Sequence, residues 1–344
     1  MRALVYRGHK RIDIEQVPDA ELPGPDGALV RTTRFAICGS DLHGYHGPVN
    51  EERIGRPMGH ECIGEVVSVG NEVKHFRPGD QVVVSAVVGC GRCEACQSLL
   101  TARCPNQEAR VIGGPGLDAG QAEAIGVPAA DSSLLAIPDG VSEEQAVLLA
   151  DILPTGYKGS RGAEIKPGST VAVVGAGPVG QIALETAFLF GPSIDQVGYR
   201  LEEAARLGAI PIGASAVDPV EALRDQTGGR GAQHVVEAAG PDATVRIAFG
   251  VLAHGGVLSQ VGASTNSAFS VDMMKLFGRD LTFKIGLVSP QFAWPELVPL
   301  LQEGKLHPER VFTHHLPMSD GPRGYEIFDE RIDGVIKVLL DPTR

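Results

Sequence analysis

Ser169-Thr170-Val171-Ala172-Val173-Val174-Gly175-Ala176-Gly177-Pro178-Val179-Gly180-Gln181-Ile182-Ala183-Leu184 is the stretch that decides the fold. Residues 170–174 form an apolar, β-branched run, the pattern of a strand buried on both faces. Gly175, Gly177 and Gly180 follow at once as G-x-G-x-x-G, and residues 181–188 continue with a helical pattern. Three spaced glycines alone are a weak signal. Between a strand and a helix they become specific, because they let backbone N–H groups and a helix N-terminus approach a pyrophosphate. The stretch predicts a dinucleotide-binding unit with a doubly wound parallel sheet, touching its ligand through Gly175, Gly177, Pro178, Val179 and Gly180. Further β/α units are expected at 235–240, 256–262 and 281–284.

A chain of 344 residues is longer than one hydrophobic core usually serves, so two domains are expected. Hydrophobic residues make up 43% and charged residues 21%, ordinary for a soluble globular protein. The net charge of −12 argues against nucleic acid or an anionic membrane as the main partner. No window approaches the roughly 18 apolar residues of a membrane helix, and the N-terminus has no apolar run suited to a signal peptide. A cytoplasmic location is expected.

The first 150 residues read largely as β. Short runs at 3–6, 12–15, 28–31, 63–69 and 81–85 alternate apolar and polar residues between Gly/Pro turns. Within them, Cys38-Gly39-Ser40-Asp41-Leu42-His43 and Gly59-His60-Glu61 offer a thiolate, two imidazoles, a hydroxyl and two carboxylates. Cys38 and His60 suit zinc, a borderline-soft dication. Two ligands make no site, and an isolated Cys and His are often core residues. Cys90, Cys93, Cys96 and Cys104 follow as C-x2-C-x2-C-x7-C in a segment almost free of bulky apolar residues. Such a lobe, 89–105, cannot hold itself by burial, so a closed four-thiolate zinc site is the expected staple. Four free thiols or an iron–sulfur cluster are the alternatives. Closed coordination leaves no open position, so this metal is structural.

Residues 141–163 predict one helix, opened by a Ser142/Gln145 capping box. Asp151 enters this apolar run as a carboxylate needing compensation, unless it is merely solvated or a cap. An amphipathic helix is expected around 294–304, and a last strand at 334–340 should rejoin the N-terminal β region.

In this order, Cys38, the Gly59-His60-Glu61 triplet, the four-cysteine lobe, Asp151 and the glycine fingerprint resemble the zinc-dependent medium-chain alcohol dehydrogenase family over nearly the whole chain. Asp151-Ile152-Leu153-Pro154-Thr155-Gly156-Tyr157 is similar to a bacterial branch with glutathione-independent formaldehyde dehydrogenases, whose large loop insertion this length does not accommodate. The resemblance implies an α/β protein: a GroES-like β-rich catalytic domain (1–151 and 291–344) and a Rossmann domain (152–290). It implies two zinc ions per chain. Cys38, His60 and Asp151 would hold the catalytic one, and Cys90, Cys93, Cys96 and Cys104 the structural one. Glu61 matches a glutamate that reaches the metal transiently, Ser40 the hydroxyl on the substrate oxygen, His43 the far end of a proton relay, and Thr155 a residue against the nicotinamide.

The activity so implied is interconversion of a small alcohol and its aldehyde or ketone by hydride transfer to NAD, in a homodimer or homotetramer. Zinc would acidify the alcohol, with Ser40 and His43 carrying the proton away. With Cys38 and Asp151 each at −1 and His60 neutral, a zinc shell is neutral, so Glu61 is expected to assist ligand exchange without staying bound. Asp195 sits where the family places the ribose-binding acid and favours NAD over NADP, because a carboxylate repels a 2′-phosphate. The strand leading to it is about four residues short of the family pattern, against the usual five or six. A formaldehyde dismutase or dehydrogenase of the same branch, and a non-catalytic nucleotide-binding relative, are the competing readings.

Overall fold

The computed structural model describes residues 1–47, 51–106, 111–188, 193–195, 198–264 and 268–343. These form two compact units, Met1–Pro154 with Ser289–Arg344, and Thr155–Val288.

The first unit is built on a seven-stranded sheet. Its path runs Phe312–Pro317, Lys337–Asp341, Ala28–Ile37, Glu61–Val69, Gln81–Val84 and Leu134–Ala136, with Ala124–Val127 also paired to Ala28–Ile37. The central strand Ala28–Ile37 thus has neighbours on both sides. Its last residues face Glu61–Val69 through Ala36↔Glu61 and Lys337–Asp341 through Val338↔Ile37. Cys38, Glu61 and Lys337 are therefore brought together by register from three distant parts of the chain. The alternating side chains of these strands (Val30, Phe35, Cys62, Val66, Val82, Val338, Leu340) close one buried core. The expected last strand occupies Lys337–Asp341 and does rejoin the N-terminal sheet.

One expectation is corrected. Residues 141–163 form two helices, Glu143–Leu148 and Ile152–Gly162, with Asp151 in the turn between them. Pro154 explains the break: in a continuous helix its ring would clash with the Ala150 carbonyl and leave it without a donor. The capping box is present, with Gln145 N donating to Ser142 Oγ at 3.2 Å and Ser142 N donating to Gln145 Oε1 at 3.1 Å. At the other end, the indole of buried Trp294, on the helix Pro290–Gln302, donates to the Leu149 carbonyl at 2.9 Å. That bond satisfies a carbonyl left over where the helix stops.

The second unit is a six-stranded parallel sheet in the order Ile210–Pro211, Ser193–Asp195, Val171–Val174, Ala232–Glu237, Leu252–Gln260, Thr282–Ile285. In chain order this is 3-2-1-4-5-6, the doubly wound arrangement, whose switch point lies between Val171–Val174 and Ala232–Glu237. The second strand is a three-residue stub. Among the described residues no helix is long and apolar enough to cross a membrane.

Candidate metal centres and dinucleotide loop

Cys38 leaves the central strand, His60 and Glu61 open the next, and Asp151 sits in the Pro154-enforced turn. One donor atom from each of these four lies within 4.8 Å of every other. His60 Nε2 is 3.2 Å from Asp151 Oδ2, and Cys38 Sγ is 3.9 Å from the same oxygen. Donors around one tetrahedral zinc sit roughly 3.3–3.8 Å apart at ordinary bond lengths, and these two separations lie within about 0.1 Å of that range. Ser40 precedes the short helix Asp41–His46, but its hydroxyl makes no capping bond. It turns instead to Cys38 Sγ (3.3 Å) and His60 Nε2 (3.4 Å).

Two groups that the sequence reading left without roles shape this centre. Asp41 is buried, with Oδ1 3.2 Å from His60 Nδ1 and Oδ2 accepting from Cys38 N at 3.0 Å. A carboxylate on the rear nitrogen orients the ring and leaves Nε2 for a metal. Gln121 extends the chain, donating to Asp41 Oδ2 (3.2 Å) and accepting from the buried Tyr325 hydroxyl (2.7 Å). Lys337 is fully buried, with Nζ 2.6 Å from Glu61 Oε2 and donating to the Ile37 carbonyl at 3.1 Å. Burial works to lower the Lys337 pKa, and Glu61, Cys38 and Asp151 together outweigh it, holding the ammonium charged, while burial pushes the Glu61 carboxyl up against the pull of Lys337. Neither group carried a local signal: Asp41 resembles any helix-start acid, and Lys337 is a lone cation in an apolar strand.

The electrostatics call for a cation. Burial alone would lower the His60 pKa, yet Asp41, Cys38 and Asp151 together raise it well above the ordinary imidazole value. Burial also pushes the Cys38 thiol up. A dication among these donors relieves both effects by keeping the thiolate charged and the imidazole neutral.

In the second cluster all four cysteine sulfurs lie within 4.8 Å of one another, with Cys93–Cys96 at 3.5 Å and Cys93–Cys104 at 3.8 Å. Four thiolates on one zinc stand about 3.8 Å apart. Despite burial, backbone N–H groups of Arg92 and Cys93 and the Asn106 amide bring the Cys90 thiol down to about 6. Burial and neighbouring thiols push Cys96 up to about 12, again a site completed by positive charge. Gln291 ties the lobe to the sheet, accepting from Thr101 Oγ1 (2.7 Å) and donating to Ser85 Oγ (2.9 Å).

In the second unit Gly175 has φ +104°, and a Cβ there would lie 2.8 Å from Ala239 Cβ. A Cβ on Gly180 would meet the Gly175 carbonyl at 1.7 Å, so the helix Pro178–Phe188 packs on the strand only through glycine. A Cβ on Gly177 would meet nothing nearer than Arg200 Nη1 at 3.5 Å, which leaves the backbone open to a ligand. Arg200, unremarked in the sequence, thus sets a cation beside the loop. Asp195 ends the short second strand, and its side chain lies outside the described residues. Thr155 is half-buried on the helix Ile152–Gly162. His43 is exposed one turn after Ser40, and partial burial of its ring pushes its pKa below the usual value. His46 pairs with Asp329, and His315 with Glu144 at 2.9 Å.

Replacing Lys337 by Met should strand the Glu61 carboxylate in the core and cost about 3–5 kcal/mol, read as a lowered urea midpoint. The double variant K337M/E61Q should recover most of that loss. Equal stability of K337M and wild type would contradict this account of the pair.

Comparison with known proteins agrees with the geometry. The alcohol dehydrogenase GroES-like domain family matches residues 24–139, and the zinc-binding dehydrogenase family matches 178–303. A protein of Mycobacterium tuberculosis described as a probable zinc-binding alcohol dehydrogenase is 39% identical, over 99% of this chain and 89% of the relative. Among solved structures, the alcohol dehydrogenase of Thermus sp. ATN1 superposes with a TM-score of 0.90 at 39% identity, covering 99% of each chain. A zinc-binding dehydrogenase of Sinorhizobium meliloti bound to NADP gives 0.83 at 27%, again covering 99% of each. Identity at this level over essentially the full length, with both domains matched, makes the chain an oxidoreductase of the zinc-dependent medium-chain alcohol dehydrogenase family.

Proposed function

We propose that this chain interconverts a small alcohol and its aldehyde or ketone by hydride exchange with NAD, using one zinc at Cys38, His60 and Asp151 and a second, structural zinc at Cys90, Cys93, Cys96 and Cys104. The observation that carries the reading is the convergence of three separated donors with a hydroxyl, Ser40, turned toward two of them. When bound, the catalytic zinc supplies Lewis acidity to a substrate oxygen and the nicotinamide supplies the hydride acceptor.

The chain's own residues do the rest. Ser40 receives the substrate hydroxyl proton, and His43 delivers it to solvent. His43 suits that role because a lowered pKa keeps it neutral and able to accept at pH 7. Asp41 holds the His60 tautomer. Lys337 cancels the charge of Glu61, so Glu61 assists ligand exchange without weakening the neutral Cys38/His60/Asp151 shell. In the second unit Gly175, Gly177, Pro178, Val179 and Gly180 take the pyrophosphate, Thr155 packs against the nicotinamide, and Asp195 binds the adenosine ribose. Asp195 favours NAD, while Arg200 and the NADP-bound relative make NADP the cofactor to compare.

The same reading includes a homo-oligomer. Among the described residues Thr282–Ile285 is the edge strand of its sheet, and Ile285 within it is 64% exposed, with Met274 77% and Phe277 84% exposed just before it in sequence. Such an apolar edge is a liability in a lone chain. An identical edge on a second copy could pair with it antiparallel about a two-fold axis.

A panel of primary, secondary and polyol alcohols with NAD and NADP should give turnover with NAD preferred. Asp151→Asn should lower kcat/KM at least about 10²-fold and bring zinc from two to one per chain. No turnover with either cofactor would sink the enzymatic reading. The acid limb of the pH–rate profile should lie below about 6.5, since His43 stops accepting only once protonated, and His43→Gln should remove that limb. An unchanged limb would exclude His43 from the relay. By sedimentation, wild type should be a dimer or larger, and Ile285→Lys should shift it toward monomer; a monomeric wild type would overturn the pairing.

A further inference from the structure

Glu237 is a fully buried carboxylate that none of these steps uses. It ends the fourth strand of the parallel sheet, at the switch point beside the first strand and its glycine loop. Oε1 accepts three hydrogen bonds, from Ala239 N (3.0 Å), Gly240 N (2.8 Å) and Thr244 Oγ1 (2.8 Å). Its main-chain carbonyl accepts two more, from Val261 N (2.8 Å) and Gly262 N (3.0 Å). One residue therefore holds both the loop after the fourth strand and the loop after the fifth. Oε2 has no hydrogen-bond partner among the described residues. It lies against the Cα of Gly262, where a Cβ would come within 2.5 Å of it. A Cβ on Gly240 would meet the Ala263 carbonyl at 2.0 Å, so the two loops interlock there. Ala239, fixed by Oε1, is the residue that abuts Gly175 of the glycine loop. Burial pushes the Glu237 carboxyl up against the pull of these donors. A costly buried acid is thus kept where its carboxylate holds two backbone N–H groups and one hydroxyl at the ligand-binding end of the sheet.

We propose that Glu237 is a positioning residue for the dinucleotide: its carboxylate ties down loop 238–241 beside Gly175 and backs onto Gly262 of loop 261–263, in the shape that accepts the second, nicotinamide-bearing half of the cofactor, without touching the cofactor itself. This rests on the dinucleotide reading given above. The first three strands of a doubly wound sheet serve one mononucleotide and the last three the other, and Glu237 stands at the start of the second set.

The test is NADH titration by fluorescence at 25 °C on the zinc-loaded enzyme, with thermal unfolding and zinc content measured in parallel. Glu237→Ala should raise the NADH Kd about tenfold or more, with zinc content unchanged. Glu237→Gln keeps an oxygen that can accept from Ala239, Gly240 and Thr244, and should return the Kd to within about threefold of wild type. Should Glu237→Ala fail to fold, Thr244→Val removes a single donor and should still raise the Kd severalfold. A lowered melting temperature with an unchanged Kd in the folded variants would make Glu237 merely structural and overturn the proposal. Wild type that binds neither NADH nor NADPH would overturn the dinucleotide reading, and this inference with it.

Discussion

The ion pair between Lys337 and Glu61 is the constraint on which the candidate metal centre at Cys38, His60 and Asp151 depends. The two residues sit on strands flanking Ala28–Ile37, and Lys337 also grips the Ile37 carbonyl, one residue before Cys38. A fully buried carboxylate beside a thiolate and a second carboxylate is otherwise untenable. The C-terminal strand thus neutralises the charge that would compete with the Cys38/His60/Asp151 set. It also fixes the end of the strand that delivers Cys38. Burial of both partners makes the pair strict, because neither charge can be removed alone without leaving the other unsolvated.

What the sequence made legible was whatever chemistry announces locally. Four close-spaced cysteines in a lobe almost free of bulky apolar residues point to metal ahead of four free thiols, and three glycines between an apolar strand and a helix state their own packing reason. Cys38 and His60 could be named for their donor chemistry. The helix break was missed because the apolar periodicity of 141–163 runs through it, although Pro154 carried the warning. Lys337 was illegible for a different reason. Its partner is 276 residues away and is chosen by sheet register, which no local pattern encodes. Asp41 was visible as a residue but not as a partner of His60, since that contact forms only when the strand opening at Glu61 lies beside the central one. Glu237, read simply as part of a strand, could have been suspected from a lone acid ending an apolar run.

The same physical device recurs in both units. Asp41, Glu61 and Glu237 are each buried close to a strand end, and each engages backbone N–H groups, a cation or an imidazole through at least one oxygen. Buried acids of this kind add little net stability. Their value lies in fixing where neighbouring groups stand, which is what a metal shell and a cofactor loop need. The four-cysteine lobe poses a different problem, since four clustered thiols stand where the segment lacks an apolar core, and under the proposed function a closed metal site takes that core's place.

The central claim is that Cys38, His60 and Asp151 share one zinc while Glu61 stays with Lys337. An anomalous difference map collected at the zinc edge on crystals of the purified protein tests it directly. The account predicts two peaks per chain, one inside the cysteine lobe and one within bonding distance, about 2.0–2.3 Å, of Cys38 Sγ, His60 Nε2 and an Asp151 oxygen. A single peak confined to the lobe, or a second peak bonded to Glu61 in place of Asp151, would contradict it.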